Sequence, residues 1–331
     1  MNYTSEVIRL AYEELDRRRE TAAAIHSSRV DEIRIKYPEI YGIYSEITST
    51  KDRLADAILS KSGNIREKIA KIRDANLKNQ AALKERLRQF GFPEDYLEIR
   101  YSCPLCSDTG VKNGNRCECV TALLDRFAVE KLNEMCKIKL GSFADFDLSY
   151  YPENYSYKGT DVNARELMEG NLRFCREYAD NFSENSPSLF LYGQTGLGKT
   201  FLSGCIAAEL LKKGVSVAFD SIQNYLREIE NEHFGRSEGD TLQTLLNADL
   251  VILDDLGSEF SSSFTASAIY NIINSRLNMG KPTIVSSNLT LDELSAKYDD
   301  RIISRLTGMF MTLRFIGEDI RQIKRRKGIF A

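Results

Sequence analysis

One stretch constrains the fold more than any other. The apolar run SLFLY (Ser188–Tyr192) leads directly into GQTGLGKT, Gly193–Thr200, and then into the helix-like FLSGCIAAELLKK. This is the pattern GxxxxGK[ST] in the strand–loop–helix context that gives it meaning. Its glycines let successive backbone N–H groups turn toward a phosphate, and the following helix N-terminus adds a favourable dipole. Gly193, Gln194, Thr195, Gly196, Leu197, Gly198, Lys199 and Thr200 are therefore candidate phosphate-binding residues. Lys199 would bring positive charge to a transferred phosphoryl group, and Thr200 a hydroxyl to Mg²⁺.

The pattern around this loop calls for an α/β domain. From about Gly141 onward, apolar strands predicted at Ser188–Tyr192, Val215–Phe219, Leu250–Asp254, Thr283–Ser287 and Met309–Phe315 alternate with helical segments, implying a mostly parallel sheet covered on both faces. LVILDD ends an apolar strand in two acids: Asp254 suits the Mg²⁺ shell, and Asp255 suits polarising an attacking water. Glu259 is a weaker candidate for the same work. The strand ending Ser286-Ser287-Asn288 would set Asn288 beside the phosphate loop if it inserts between the other two. Arg301 and Arg305 in RIISRL, and Arg321 in GEDIR, are candidates for stabilising phosphate charge, including across a subunit boundary.

Residues 1–100 read as a charge-dense helical region. Ile58, Ile65 and Ile72 recur every seven residues, with Ile69, Leu83 and Phe90 in the companion register, as in an amphipathic or coiled-coil-like helix. Gly63 interrupts the first heptad and Asn76 and Asn79 dilute the seam, which argues against one long uninterrupted coiled coil. YPEIYGIY (Tyr37–Tyr44) breaks the helical pattern and separates two helical units. In residues 101–140, four of the seven cysteines cluster between Cys103 and Cys119 as CPLC and CEC, ten residues apart, with Asn113-Gly114 as a hairpin turn between them. Cys103, Cys106, Cys117 and Cys119 fit a structural zinc knuckle, whose four thiolates leave no open coordination position. Cys136, Cys175 and Cys205 read as small buried hydrophobes.

Composition narrows the class. With 45 Lys and Arg against 48 Asp and Glu, the chain is no general polyanion binder, so DNA contact needs a local patch. Lys212, Lys213, Arg227 and the tail Arg321–Lys327 are candidates for it. No apolar run is long enough for a membrane span, and the charged start does not resemble a secretory signal, so a cytoplasmic protein is expected.

GQTGLGKT, LVILDDLGSE, VSSN, RIISRL and GEDIR, in this order and spacing, resemble the AAA+ ATPases of the DnaC/DnaI helicase-loader and IstB group over roughly Gly141–Gly328. FADFDLSYYP is similar to the segment before the nucleotide fold in that group, where aromatic residues lie near the adenine. The cysteine knuckle resembles that of zinc-bearing, DnaI-like loaders. The resemblance implies a five-stranded parallel sheet in the AAA+ order over residues 141–331. It makes Asn288 sensor 1, Arg305 the arginine finger and Arg321 sensor 2. Only 16 residues follow Phe315, too few for the usual helical lid, so neighbouring subunits would enclose the nucleotide. The implied function is ATP-dependent loading of a replicative hexameric helicase onto single-stranded DNA, with ATP, Mg²⁺ and Zn²⁺ as ligands and self-association through the AAA+ domain. An IstB-like transposition ATPase working with a transposase is the nearest alternative. A small-molecule P-loop kinase and a non-hydrolysing ATP-dependent adaptor come from other classes.

Overall fold

The computed structural model describes residues 3–59, 65–134, 140–157 and 159–328; Gly63 and Cys136 lie outside them. The chain divides into two compact units, Ala11–Val120 and Met1–Leu10 with Thr121–Ala331.

Four helices dominate the first hundred residues: α1 (Ser5–Lys36), α2 (Pro38–Thr48), α3 (Thr50–Leu59) and α4 (Ile65–Gln89). The buried positions of α1, Val7, Ala11, Leu15, Ala22 and Ile33, fall on one stripe at helical spacing. YPEIYGIY is not a break along its length. Tyr37 alone leaves the helix (φ −135°, ψ 66°), because a residue before proline is pushed out of the α region. Pro38 then opens α2 at a position where its missing N–H costs nothing. The seven-residue isoleucine repeat likewise is not one seam. Ile58 lies on α3 and Ile65 on α4, and they are 59% and 39% exposed. An apolar cluster of this unit gathers Ile33, Ile40, Leu87 and Leu97, ringed by Leu83 of the expected companion register and by Tyr37, Tyr41, Tyr44, Phe92 and Tyr96.

The cysteine module follows as a hairpin. β1 (Val111–Lys112) and β2 (Asn115–Arg116) pair antiparallel about Asn113 and Gly114, both at positive φ as the expected turn requires. α5 (Glu118–Glu134) starts at the second cysteine pair.

After two short 3₁₀ turns come the hairpin β3 (Tyr155–Tyr157) and β4 (Thr160–Val162), then α6 (Ala164–Asp180). The α/β core runs β5 (Leu189–Tyr192), α7 (Lys199–Lys212), β6 (Val217–Ser221), α8 (Ile222–His233), α9 (Thr241–Asn247), β7 (Leu250–Leu256) and α10 (Ser263–Asn278). It continues through β8 (Thr283–Ser287), α11 (Leu291–Lys297), α12 (Asp300–Gly308), β9 (Met311–Arg314) and α13 (Ile320–Arg326). The sheet is parallel throughout, in the order β6-β7-β8-β5-β9. This is the AAA+ arrangement: β8 lies between the phosphate-loop strand and the acidic strand. Alternate strand residues face opposite layers, as a period of two dictates. Leu189, Leu191, Phe219 and Ile252 pack with α6 and α7, while Phe190, Ala218, Val251 and Leu253 pack with the helices of the other face.

A buried cation pins the strand ends opposite the phosphate loop. Arg276 of α10 is 0% exposed. It donates to the carbonyls of Leu245 (2.6 Å), Ala248 (2.8 Å) and Pro282 (2.6 Å), and to the Thr283 hydroxyl (2.9 Å). Burial pulls its pKa down to about 10. These bonds fasten the end of α9 and the approach to β7 against the start of β8. Arg276→Met should leave several buried carbonyls without donors and cost about 3 kcal/mol. Urea unfolding checks this, and a loss below about 1 kcal/mol would contradict it.

Candidate nucleotide site and cysteine cluster

The phosphate loop is shaped as much by what packs against it as by what it could bind. Gly193, Gly196 and Gly198 sit at φ +149°, +78° and +87°, a region other residues rarely adopt. Each is also crowded. A Cβ on Gly193 would lie 2.2 Å from the Phe315 carbonyl, and one on Gly196 2.0 Å from the Asp319 carboxylate. One on Gly198 would lie 3.1 Å from both the Phe146 ring and the Tyr151 hydroxyl. Tyr151 is fully buried, stacks on Phe146 with ring centroids 5.6 Å apart, and donates to the Leu197 carbonyl at 2.9 Å. The FADFDLSYYP segment and the turn into α13 thus brace the loop from two sides.

Lys199, the first residue of α7, is 4% exposed. Its ammonium donates to the carbonyls of Gly193 (2.6 Å) and Gln194 (2.8 Å) and to the Asn288 side-chain oxygen (2.7 Å). All three acceptors are neutral, and burial depresses its pKa to about 8. The Thr200 hydroxyl donates to the Asp254 carboxylate at 2.8 Å, and Ser286 of β8 donates to the same carboxylate at 2.5 Å. Burial raises the Asp254 pKa against the pull of these two hydroxyls.

The two acids face different partners because β7 bulges. Its register with β8 shifts between Leu253 and Leu256, and Asp255 takes a left-handed conformation (φ 60°). The Asp255 N–H donates to the Ser286 hydroxyl at 3.0 Å, while its carboxylate accepts from the Asn288 amide at 2.5 Å. Asn288 therefore bridges Lys199 and Asp255. Ser286 is a residue that sequence reasoning passed over; a serine inside the apolar TIVSSN strand was the available signal. Glu259 does not share this setting. It is buried, accepts from the Gly257 N–H at 2.9 Å and the Tyr298 hydroxyl, and pairs with Lys297 at 3.2 Å.

A cavity of about 790 Å³ opens over the loop. Phe146, Tyr150, Thr195–Thr200, Asp255, Asn288 and Arg321 line it. Arg321 is thus brought to the site; Arg305 is not among the lining residues. Lys324 and Arg325 also line the cavity, so part of the basic tail faces a nucleotide-sized space. Lys213 donates to the Ala179 carbonyl at 2.7 Å, Lys212 pairs with Glu209, and Arg227 is exposed. Two features fit ATP with Mg²⁺: a buried ammonium whose hydrogen-bond acceptors are all neutral, and a hydroxyl–carboxylate pair beside it.

The second cluster lies in the Ala11–Val120 unit. The sulfurs of Cys103, Cys106, Cys117 and Cys119 all lie within 4.8 Å of one another. Cys103 and Cys117 are 3.8 Å apart, Cys106 and Cys119 3.4 Å. Tetrahedral zinc with its usual thiolate bonds sets sulfurs about 3.8 Å apart. Buried Asp108 accepts from the Ser102 and Cys103 N–H groups (2.7 and 2.9 Å) and fixes the first knuckle turn. N–H groups of that turn bring the Cys103 thiol down to about 7, whereas burial and neighbouring sulfurs push Cys119 up. Four thiols this close ionise together only around a cation, so the donor set suits Zn²⁺.

The crowding of the loop predicts an outcome. Gly196→Ala should drive Asp319 and α13 off the loop and weaken ATP binding at least about tenfold, measured by titration with a fluorescent ATP analogue. Gly170→Ala is the control: its Cβ would meet nothing within 4 Å on α6, and it should bind like the parent chain.

The chain is similar to several known proteins. The chain is 26% identical over 181 residues to the replicative helicase loader DnaC of Escherichia coli (strain K12), covering 54% of this chain and 73% of that protein. It is 28% identical over 136 residues to the replicative helicase loader DnaI of Bacillus subtilis (strain 168), covering 41% and 43% of the two chains. A crystal structure of the DnaC helicase loader superposes with a TM-score of 0.43 at 25% identity, covering 53% of this chain and 98% of that one. Among the described residues, no helix is long and apolar enough to cross a membrane. The sequence model of the IstB-like ATP binding proteins matches residues 120–327, well over half of the chain, and the chain belongs to that family.

Proposed function

We propose that this protein is an ATPase that loads a replicative hexameric helicase onto single-stranded DNA. The observation that carries the ATPase reading is the Lys199–Asn288–Asp255 bridge, in which one amide holds both a phosphate-binding cation and a carboxylate suited to activating water. The loader reading draws on the similarity to proteins named DnaC and DnaI.

In this reading the γ-phosphate of ATP takes Lys199 from its neutral acceptors, and the Asn288 amide turns toward the phosphate as a sensor. Asp255 is then free to accept the proton of the attacking water. Thr200 and Asp254 hold the magnesium shell, and bound Mg²⁺ supplies charge neutralisation of the phosphates. Arg321 adds positive charge from α13. Arg305 reaches the nucleotide of an adjoining copy, so that hydrolysis depends on self-association. Phe146, Tyr150 and Tyr151 flank the base. The helical residues 1–100 and a zinc-filled knuckle within 101–140 bind the helicase, while 141–331 assemble on DNA. ATP binding favours the assembled state, and hydrolysis releases the partner.

The family match also leaves room for an IstB-like transposition ATPase acting with a transposase. Co-purification with the replicative helicase, with and without ATP, separates the two; capture of a transposase instead would overturn the loader reading. Lys199→Ala should lower ATP hydrolysis at least about a hundredfold while keeping helicase binding, read by steady-state phosphate release and pull-down. Loss of helicase binding in a folded Lys199→Ala protein would contradict the division of labour. One zinc per chain is expected by elemental analysis. Replacing Cys103 and Cys117 by serine should abolish it and lower the unfolding temperature of the Ala11–Val120 unit.

A further inference from the structure

Arg305 is held unlike many arginines of this molecule. Arg17, Arg18, Arg34, Arg100 and Arg165 pair with carboxylates within 4 Å. Arg301, one turn before Arg305 on α12, does the same: it forms two bonds to Asp299 at 3.1 and 2.9 Å and is largely exposed. Arg305 is half-buried, and among the described residues no carboxylate pairs with it. Its Nε and Nη2 donate to the Asn274 side-chain oxygen at 2.9 and 2.7 Å. Nη2 also donates to the Tyr270 hydroxyl at 3.1 Å, and Nη1 to the Arg301 carbonyl at 2.9 Å. The guanidinium lies 4.9 Å from the centre of the Tyr270 ring.

Every one of these partners is neutral. A carboxylate in their place would cancel the charge and compete with any phosphate for it. Neutral acceptors and an aromatic face fix the direction of the side chain yet leave its charge available to an anion. Asn274 and Tyr270 are one turn apart on α10, so a single helix face supplies both side chains of the cradle, and α12 adds the Arg301 carbonyl. The Tyr270 ring also lies 5.1 Å from the Arg301 guanidinium, but Arg301 is neutralised by Asp299, and only Arg305 bonds the Tyr270 hydroxyl and Asn274. The geometry points to Asn274 and Tyr270 as positioning residues that hold Arg305 un-neutralised for an adjoining copy's nucleotide. This inference rests on the reading of Arg305 as a trans-acting arginine.

Mixing full-length variants tests both ideas separately, with Mg²⁺–ATP and a dT oligonucleotide present. Asp255→Asn keeps Arg305 but cannot activate water; Arg305→Ala keeps the acid but has nothing to offer a neighbour. Each alone should be slow, and together they should recover at least about tenfold in hydrolysis. Asn274→Asp, nearly isosteric, should pin Arg305 in an ion pair. Alone it should lower kcat about tenfold with KM for ATP within about twofold. Adding Asp255→Asn should rescue it, and adding Arg305→Ala should not. If Asn274→Asp hydrolyses like the parent while Arg305→Ala is slow, the cradle is wrong and the trans arginine stands. If Asp255→Asn fails to rescue Asn274→Asp yet rescues Arg305→Ala, Asn274 serves its own subunit and the proposal falls. If Arg305→Ala is not rescued at all, the trans reading falls and the cradle with it.

Discussion

A buried ammonium whose hydrogen-bond acceptors are all neutral is the interaction on which the site depends. Lys199 has lost most of its water, and burial has drawn its pKa toward the physiological range. Two loop carbonyls and the Asn288 amide compensate it in part. Asn288 can do so only because β8 lies between β5 and β7, which brings its end within reach of both the loop and the acids. The parallel order of the sheet, the bulge in β7 and the left-handed Asp255 all serve this one junction.

The loop that carries Lys199 is stabilised by contacts in which glycine is a steric requirement. Phe315, Asp319, Phe146 and Tyr151 approach three of its glycines closely, so the segment before the α/β core and the segment after β9 meet over the same turn. Nucleotide would therefore enter a space already walled by aromatic rings and by the basic face of α13. That coupling gives α13 a role in the site although it is only seven residues long.

Local patterns were legible in the residues themselves, whereas the strand order that sets Asn288 beside the phosphate loop was legible only through the family resemblance. The phosphate loop could be read because strand, turn and helix are contiguous, and Asp254 and Asp255 because an apolar strand ends in them. The four cysteines could be read because the Asn113-Gly114 turn brings them together over a short distance. The isoleucine repeat did not promise one long seam, since Gly63 interrupts it, and Ile58 and Ile65 belong to different helices, with α4 packed against α2 and α3. Arg276 looked like an ordinary helical arginine; its burial arises where α9, β7 and β8 converge. The neutral cradle of Arg305 was hidden for the same reason, since Asn274 is 31 residues away in the chain.

The central claim is that nucleotide binding reorganises the junction at Asn288. A crystal structure of the chain with Mg²⁺ and a non-hydrolysable ATP analogue measures it directly, through the contact between the Asn288 amide and the Asp255 carboxylate. That contact, 2.5 Å here, should open beyond hydrogen-bond reach as Lys199 moves to the γ-phosphate. An analogue-bound site in which Asn288 still holds both Lys199 and Asp255 would contradict the account.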